Sequence, residues 1–141
     1  MTHRWPLRVY YEDVDLAGIV YYANYLRFIE RARSEMVRAA GIDQAAMRDG
    51  GLVFAVRRVE ADYLRPARYD DELVVETVVA DLSRARFTMA QTVRRGGDAL
   101  FRARVEIVCM RLDGRPRRLP DGVMSMRAET DLHPVPAPDR R

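Results

Sequence analysis

An α+β domain, with an antiparallel sheet wrapped around one long central helix, is predicted for this chain by three observations. Apolar residues recur at steps of three and four across one stretch, residues 25–40. The segments on either side alternate with period two, as half-buried strands do. The length, 141 residues, supports one compact domain and not two.

The elements follow in order. Leu7, Val9 and Tyr11 alternate with Arg8, Tyr10 and Glu12, which predicts a short first strand. Asp13 to Gly18 mixes acids with small residues and reads as a loop. Tyr25, Phe28, Ile29, Ala32, Met36 and Ala40 then form one helical stripe, with Arg27, Arg31, Ser34, Glu35 and Arg38 on the other faces. Gly41 ends it, and Asn24, or a residue just before it, is expected to cap its start.

After a connection ending in Gly50 and Gly51, Phe54 and Val56 share one parity while Val59, Ala61 and Tyr63 share the other. One inserted residue near Arg57 or Arg58, a β-bulge, would turn both sets toward one core. Pro66 and Ala67 close that strand, and Asp70-Asp71 turns the chain into the β-branched run Leu73 to Ala80. Phe87, Met89 and Val93 alternate next, Gly96-Gly97 supplies a hairpin turn, and Leu100 to Arg111 is a strand with Phe101, Ala103, Val105, Ile107 and Cys109 on one face. Asp113-Gly114 is another turn, and beyond Pro120 the pattern weakens. Residues 1–128 are expected to form the domain and residues 129–141, with His133 and a run of prolines, a disordered tail. The four later strands are expected to run as a meander. A helix of about 17 residues spans roughly 25 Å, enough to lie across several strands, and a sheet curled around it is the hotdog arrangement.

Composition narrows the function. No apolar run approaches the roughly 20 residues that cross a bilayer, and Met1 to Leu7 lacks a signal-peptide core, so a cytoplasmic protein is expected. The one cysteine, Cys109, has no partner for an internal disulfide, and no Cys/His spacing suits a metal. All 24 basic residues are arginine, dispersed among 21 acids, which argues against a dedicated nucleic-acid binder. Small anionic ligands fit better, because the arginine fork matches phosphate oxygens.

The segment Tyr11 to Arg33, YEDVDLAGIVYYANYLRFIERAR, carries the chemistry. Its order, Asp-x-Asp, Gly, two apolar residues, an aromatic, then Asn-Tyr and an acidic helix, resembles the 4-hydroxybenzoyl-CoA thioesterase family. Within that family it is most similar to the acyl-CoA thioesterases of Tol-Pal clusters. The resemblance continues through Ala55 to Arg58, DYLRPARYDDEL at Asp62 to Leu73, and VCM with LP near Cys109 and Pro120.

The resemblance implies hydrolysis of an acyl-CoA, with a short aliphatic or an aromatic acyl group, and no cofactor, coenzyme A being part of the substrate. Asp15 is then the catalytic carboxylate, as nucleophile or general base, and the backbone N–H of Tyr22 polarises the thioester carbonyl. The residues offer independent support: attack at a carbonyl needs an attacking group and donors for the oxyanion, and a helix N-terminus offers such donors. On composition alone Asp15 reads equally as a loop or helix-capping acid. Asp13 is expected to support the loop. Gly18 suits a backbone that a Cβ would hinder, or close approach of substrate. Tyr22 departs from the histidine usual in Tol-Pal-cluster enzymes, which opens the acyl specificity, and Val14 replaces the usual threonine.

Asn24 either orients the loop or caps the helix, while Tyr25 and Phe28 belong to the core or to an acyl pocket. Arg84, Arg86, Arg117 and Arg118 are candidates for contact with the coenzyme A phosphates. Glu30, Arg31 and Arg33 read as a solvated helix face or an interface. An open sheet edge is expected to pair with a second copy, and the resemblance implies a dimer or a dimer of dimers in which residues 54–63 complete the partner's pocket. Two other functions suit the scaffold. A dehydratase would need a histidine paired with an acid, and no internal histidine exists. A non-catalytic module binding acyl thioesters or an acyl carrier protein would not need Asp15.

Overall fold

The structure is a computed structural model and describes residues 2–130. Five strands form one antiparallel sheet: β1 (His3–Arg8), β2 (Leu52–Tyr63), β3 (Glu72–Leu82), β4 (Arg86–Arg95) and β5 (Asp98–Arg111). Their spatial order is β1-β3-β4-β5-β2. The expected meander is therefore confined to β3, β4 and β5. β2 precedes them in sequence but lies beyond them, against β5, because the chain passes under the sheet as helix before β2 begins.

That helix, α1 (Asn24–Ala39), buries Tyr25, Phe28, Ile29, Ala32, Met36 and Val37. It lies on the face formed by Leu73, Val75, Phe87, Met89, Val93, Phe101 and Val105, all at most 1% exposed. Each large apolar side chain so buried contributes about 1.5–3 kcal/mol, and the result is the hotdog arrangement. One polar group is locked into this core. Gln91 donates to the Ile29 carbonyl (2.9 Å) and to Thr77 Oγ1 (3.0 Å), and its Oε1 accepts from Arg33 (3.0 Å). Both N–H groups and the carbonyl oxygen of the Gln91 amide are thus engaged, as burial demands.

α1 stops as Gly41 predicts. Gly41 sits at φ +81, its N–H donates to Arg38 O (3.0 Å), and Ile42 N–H donates to Val37 O (3.2 Å). This is the Schellman pattern that occupies the last free carbonyls. Asp43 then caps a short helix, α2 (Gln44–Asp49), by accepting from Ala46 N–H. The sequence pattern predicts only a connection there, because six residues are too few to show a helical period.

The bulge in β2 is present, as a register shift between Val56 and Arg58. It keeps Val56 and Val59 on one face, opposite Ile107 and Val105. Yet Val56 and Val59 are about half exposed, because α1 does not extend over this edge. The first strand lies earlier than expected: Tyr11–Asp13 is a 3-10 turn, since the Asp13 carboxylate captures Tyr10 N–H (2.8 Å) and ends the extended run. Past Pro120 the chain forms a further helix, α3 (Asp121–Thr130), whose Val123 and Met126 are buried against the core. Its weak amphipathic pattern hid it from sequence reasoning. Residues 131–141, most of the expected tail, lie outside the described residues.

Candidate active site

The loop between β1 and α1 is built around two backbone oxygens. The carbonyl of Asp13 accepts from Tyr21 N–H and from Asn24 Nδ2, both at 2.9 Å. The carbonyl of Asp15 accepts from Gly18 N–H (3.0 Å), closing a tight turn over Leu16 and Ala17. Val14 bridges Val20, and Asp15 N–H donates to Ile19 O (2.9 Å), so the turn sits at the tip of a miniature hairpin. Gly18 adopts φ +75, and a Cβ there would meet nothing within 4 Å. Its glycine is therefore explained by backbone conformation and not by crowding from the protein.

Asp15 stands exposed on this turn. Its Oδ1 accepts from Ala17 N–H (2.9 Å), which fixes the carboxylate as an Asx turn does. The other oxygen has no hydrogen-bond partner among the described residues.

The first turn of α1 lies on the far side of the loop. Asn24 does not cap it. The residue at the cap position is Ala23, with no side-chain hydrogen bond, and Asn24, now the first helical residue, spends its amide on Asp13 O. Asn24 thus orients the loop, while its own N–H donates to Tyr21 O (2.8 Å) and that of Leu26 to Ala23 O (3.2 Å). The N–H of Tyr22 has no partner among the described residues, and it lies where the helix dipole favours negative charge. The Tyr22 carbonyl, by contrast, is held by Tyr63 Oη at 2.9 Å. Burial, and then Tyr22, push the Tyr63 phenol up, which keeps it a donor. The Tyr22 ring is exposed and meets Tyr21 and Tyr63 edge-on.

Tyr25 is a core residue and does not line a substrate surface. It is 3% exposed, stacks on Phe101 at 4.9 Å, and its hydroxyl accepts from Ala67 N–H (3.0 Å). That bond begins a brace unseen in the sequence. Ala67 O accepts from Val20 N–H (2.9 Å), and Arg68 bridges Ile19. Arg68 N–H donates to Asp71 Oδ2 (2.8 Å), and Arg95 clamps the same oxygen (2.7 Å) while reaching Pro66 O (3.3 Å). Burial alone would raise the Asp71 carboxyl, but the Arg68 N–H and Arg95 together hold it below the usual range. The segment from Pro66 to Asp71 is therefore a backstop for the Asp15 hairpin. Hydroxyl and carboxylate groups at strand ends were the only sequence signal for it, since each needs a partner when half buried.

Of the four arginines, three meet. Arg84, Arg117 and Arg118 line one cavity of about 330 Å³ with Ala85 and Pro116. Arg117 N–H donates to Cys109 O, and Leu119 N–H to Arg84 O, both at 2.9 Å. Arg86 stands apart: its guanidinium pairs with Glu106 at 3.0 Å, which Arg57 also reaches. A second cavity, of about 130 Å³, lies between α1 and the sheet, with Arg33 and Ser34 on one wall and Phe54, Val56 and Phe87 on the other. The arginine cavity is far from Asp15 within one chain. Tyr63 pairs with Phe101, and Phe54 with Cys109; those ends of the β2–β5 ladder are about 27 Å apart at roughly 3.4 Å per residue.

Among the described residues no group of three His, Cys, Asp or Glu side chains is arranged to hold a metal, and no helix is long and apolar enough to cross a membrane.

The sequence profile of the thioesterase-like superfamily matches residues 9–138. The acyl-CoA thioester hydrolase YbgC of Escherichia coli O157:H7 is 38% identical over 124 residues, which cover 86% of this chain and 92% of that protein. The crystal structure of a probable thioesterase from Bartonella henselae superposes with a TM-score of 0.82 at 40% identity, covering 85% of this chain and 100% of the other. A 1,4-dihydroxy-2-naphthoyl-CoA thioesterase from Synechocystis, at 23% identity, shares the fold with a TM-score of 0.85 over 95% of this chain and 100% of its own.

Proposed function

Because this chain belongs to the thioesterase-like superfamily and is a thioester hydrolase, we propose that it splits an acyl-CoA into free acid and coenzyme A, using Asp15 and the N-terminus of α1. The observation that carries the assignment of residues is the pairing of a presented carboxylate with an unoccupied donor. Asp15 is exposed, with one oxygen fixed and one free, and the Tyr22 N–H, at the other end of the same loop, has no partner among the described residues. An attacking or water-activating group and an oxyanion donor are what acyl transfer requires.

Two routes lead to the same products. As nucleophile, a carboxylate oxygen of Asp15 attacks the thioester carbon and the coenzyme A thiolate departs; water then hydrolyses the mixed anhydride. As general base, Asp15 takes a proton from the water that attacks. In both the oxygen that gains charge is met by Tyr22 N–H, with Gly18 giving the turn its shape. The acyl group is a short aliphatic chain or an aromatic one. The phosphates of coenzyme A fall to Arg84, Arg117 and Arg118. Their distance from Asp15 in one chain favours an oligomer with a sheet continuous across two copies.

The test is thiol release from short, long and aromatic acyl-CoAs, comparing the natural protein with Asp15→Asn. The substitution is expected to lower kcat on the order of 10²–10³-fold or more, with the fold intact by circular dichroism. Equal activity of the two proteins would refute the role of Asp15. Binding of acyl-CoA without turnover by either would favour a binding module instead.

A further inference from the structure

Hydrolysis by Asp15 and the Tyr22 N–H requires both groups to reach one carbonyl, so their separation has to be held. The two belong to different bodies, Asp15 to the hairpin and Tyr22 to the start of α1. Their direct tie is at the base of the hairpin, where Asp13 O accepts from Tyr21 N–H and from Asn24 Nδ2, both at 2.9 Å. A hairpin tied at its base alone pivots there, and a pivot displaces the tip, which carries Asp15, the most.

A second tie closes the frame from behind. Arg68 bridges Ile19, whose carbonyl accepts from Asp15 N–H (2.9 Å), and Ala67 O accepts from Val20 N–H (2.9 Å). Ala67 in turn donates its own N–H to Tyr25 Oη (3.0 Å). Tyr25 stands one turn beyond Tyr22, on α1, and among the described residues this is the one hydrogen bond between α1 and residues 66–71. The ring that carries the hydroxyl is itself clamped: it stacks on Phe101 (4.9 Å) and meets Tyr63 (5.6 Å) and Phe28 (6.0 Å) edge-on. Burial pushes the phenol up by more than the Ala67 N–H draws it down, so the hydroxyl is a neutral acceptor throughout the neutral range.

We infer that Tyr25 is a positioning residue for the hydrolysis: its hydroxyl, acting through the main chain of Ala67, sets the separation of the Asp15 carboxylate from the Tyr22 N–H. The inference rests on the function proposed above, in which those two groups act together. Tyr25 itself is 3% exposed and meets no reacting atom. Its side chain carries two separable tasks. The ring fills the core beside Phe101, while the oxygen fastens the first turn of α1 to the segment on which the hairpin leans.

Tyr25→Phe tests this, because it keeps the ring and removes one hydrogen bond, the hydroxyl's only one among the described residues. A displacement of about 1 Å at a reacting group costs up to about 10²-fold in rate. Loss of one of two ties is expected to lower kcat about tenfold and to change KM less than about twofold, with the fold intact by circular dichroism. Loss of a buried bond also lowers Tm, so Val105→Ala serves as the control. Val105 pairs with Val59 and Met89 in the middle of the sheet, outside the frame, and its truncation is expected to lower Tm with kcat natural. An equal fall of kcat in Val105→Ala would trace the effect to stability and overturn the inference. A double-mutant cycle reads the positioning directly. With Asp15→Asn no carboxylate is left to position, so adding Tyr25→Phe is expected to change the residual rate less than about twofold. The same loss in both backgrounds, or no loss in the natural one, overturns the role of Tyr25. Full activity of Asp15→Asn refutes the function proposed for Asp15 itself, whatever Tyr25→Phe does.

Discussion

The economy of the candidate site lies in which polar groups are spent and which are left over. Asn24 turns its amide toward the Asp13 carbonyl instead of capping α1, and the Tyr22 N–H remains available. Tyr63 spends its hydroxyl on the Tyr22 carbonyl, which fixes the peptide plane that follows Tyr22 without touching its N–H. Tyr63→Phe removes that one bond, worth about 1 kcal/mol. It is expected to lower kcat about fivefold with KM little changed, measured by steady-state thiol release. An unchanged kcat would mean that the helix start is held by other contacts. The departure from histidine at Tyr22 has little bearing on this mechanism, because the proposed donor is main chain and survives any side chain except proline.

At the scale of elements, the loop is only as rigid as the segment behind it. The hairpin that carries Asp15 leans on residues 66–71, and that segment is fastened by Arg95 and Asp71 on one side and by the Tyr25 hydroxyl on the other. The Asp71 carboxyl is held below its usual range, so its contribution is complete above the unfolded value, about 3.9. It is lost as pH falls through the lower folded value. Asp71→Asn is therefore expected to lower Tm above about pH 4 and to converge with the natural protein in more acidic solution. Thermal melts across that range check the sign, and a constant difference at every pH would refute the clamp. This brace was illegible in the sequence because its parts come from four separate elements. The helix, the bulge and the strand faces were legible, each being written in a local period. Helices α2 and α3 were not: α2 is short, and α3 shows almost no periodic contrast.

The whole molecule separates two functions that a ligand must join. Along one chain the arginine cavity and the Asp15 loop lie toward opposite ends of the sheet, and on the function proposed above a second copy would supply the arginines. Replacing Arg84, Arg117 and Arg118 together by serine is expected to raise KM for acyl-CoA about tenfold, the loss of charge-assisted phosphate contacts. The same change is expected to leave an acyl-pantetheine thioester unaffected. Mixing this triple variant with Asp15→Asn gives the sharper result. The mixed dimer would combine an intact Asp15 from one copy with intact arginines from the other, recovering natural KM at one site in two. Failure to recover would place the phosphates on the same chain as the reacting carboxylate.

Local chemistry alone determined much of this protein. Period-three-to-four and period-two patterns specified the helix, the strands and the bulge, and the Tyr11 to Arg33 motif specified the family and hence the thioester chemistry. Such features are decided by residues close in sequence, whose side chains need only point to one side or the other. Tertiary structure alone decided that β2 lies at the open edge of the sheet, that Tyr25 is core, that Asn24 serves the loop, and that Arg86 stands apart from its three neighbours. Each of those depends on which distant group is nearest, and a hydrogen bond or ion pair goes to the partner that folding delivers, whatever the spacing along the chain.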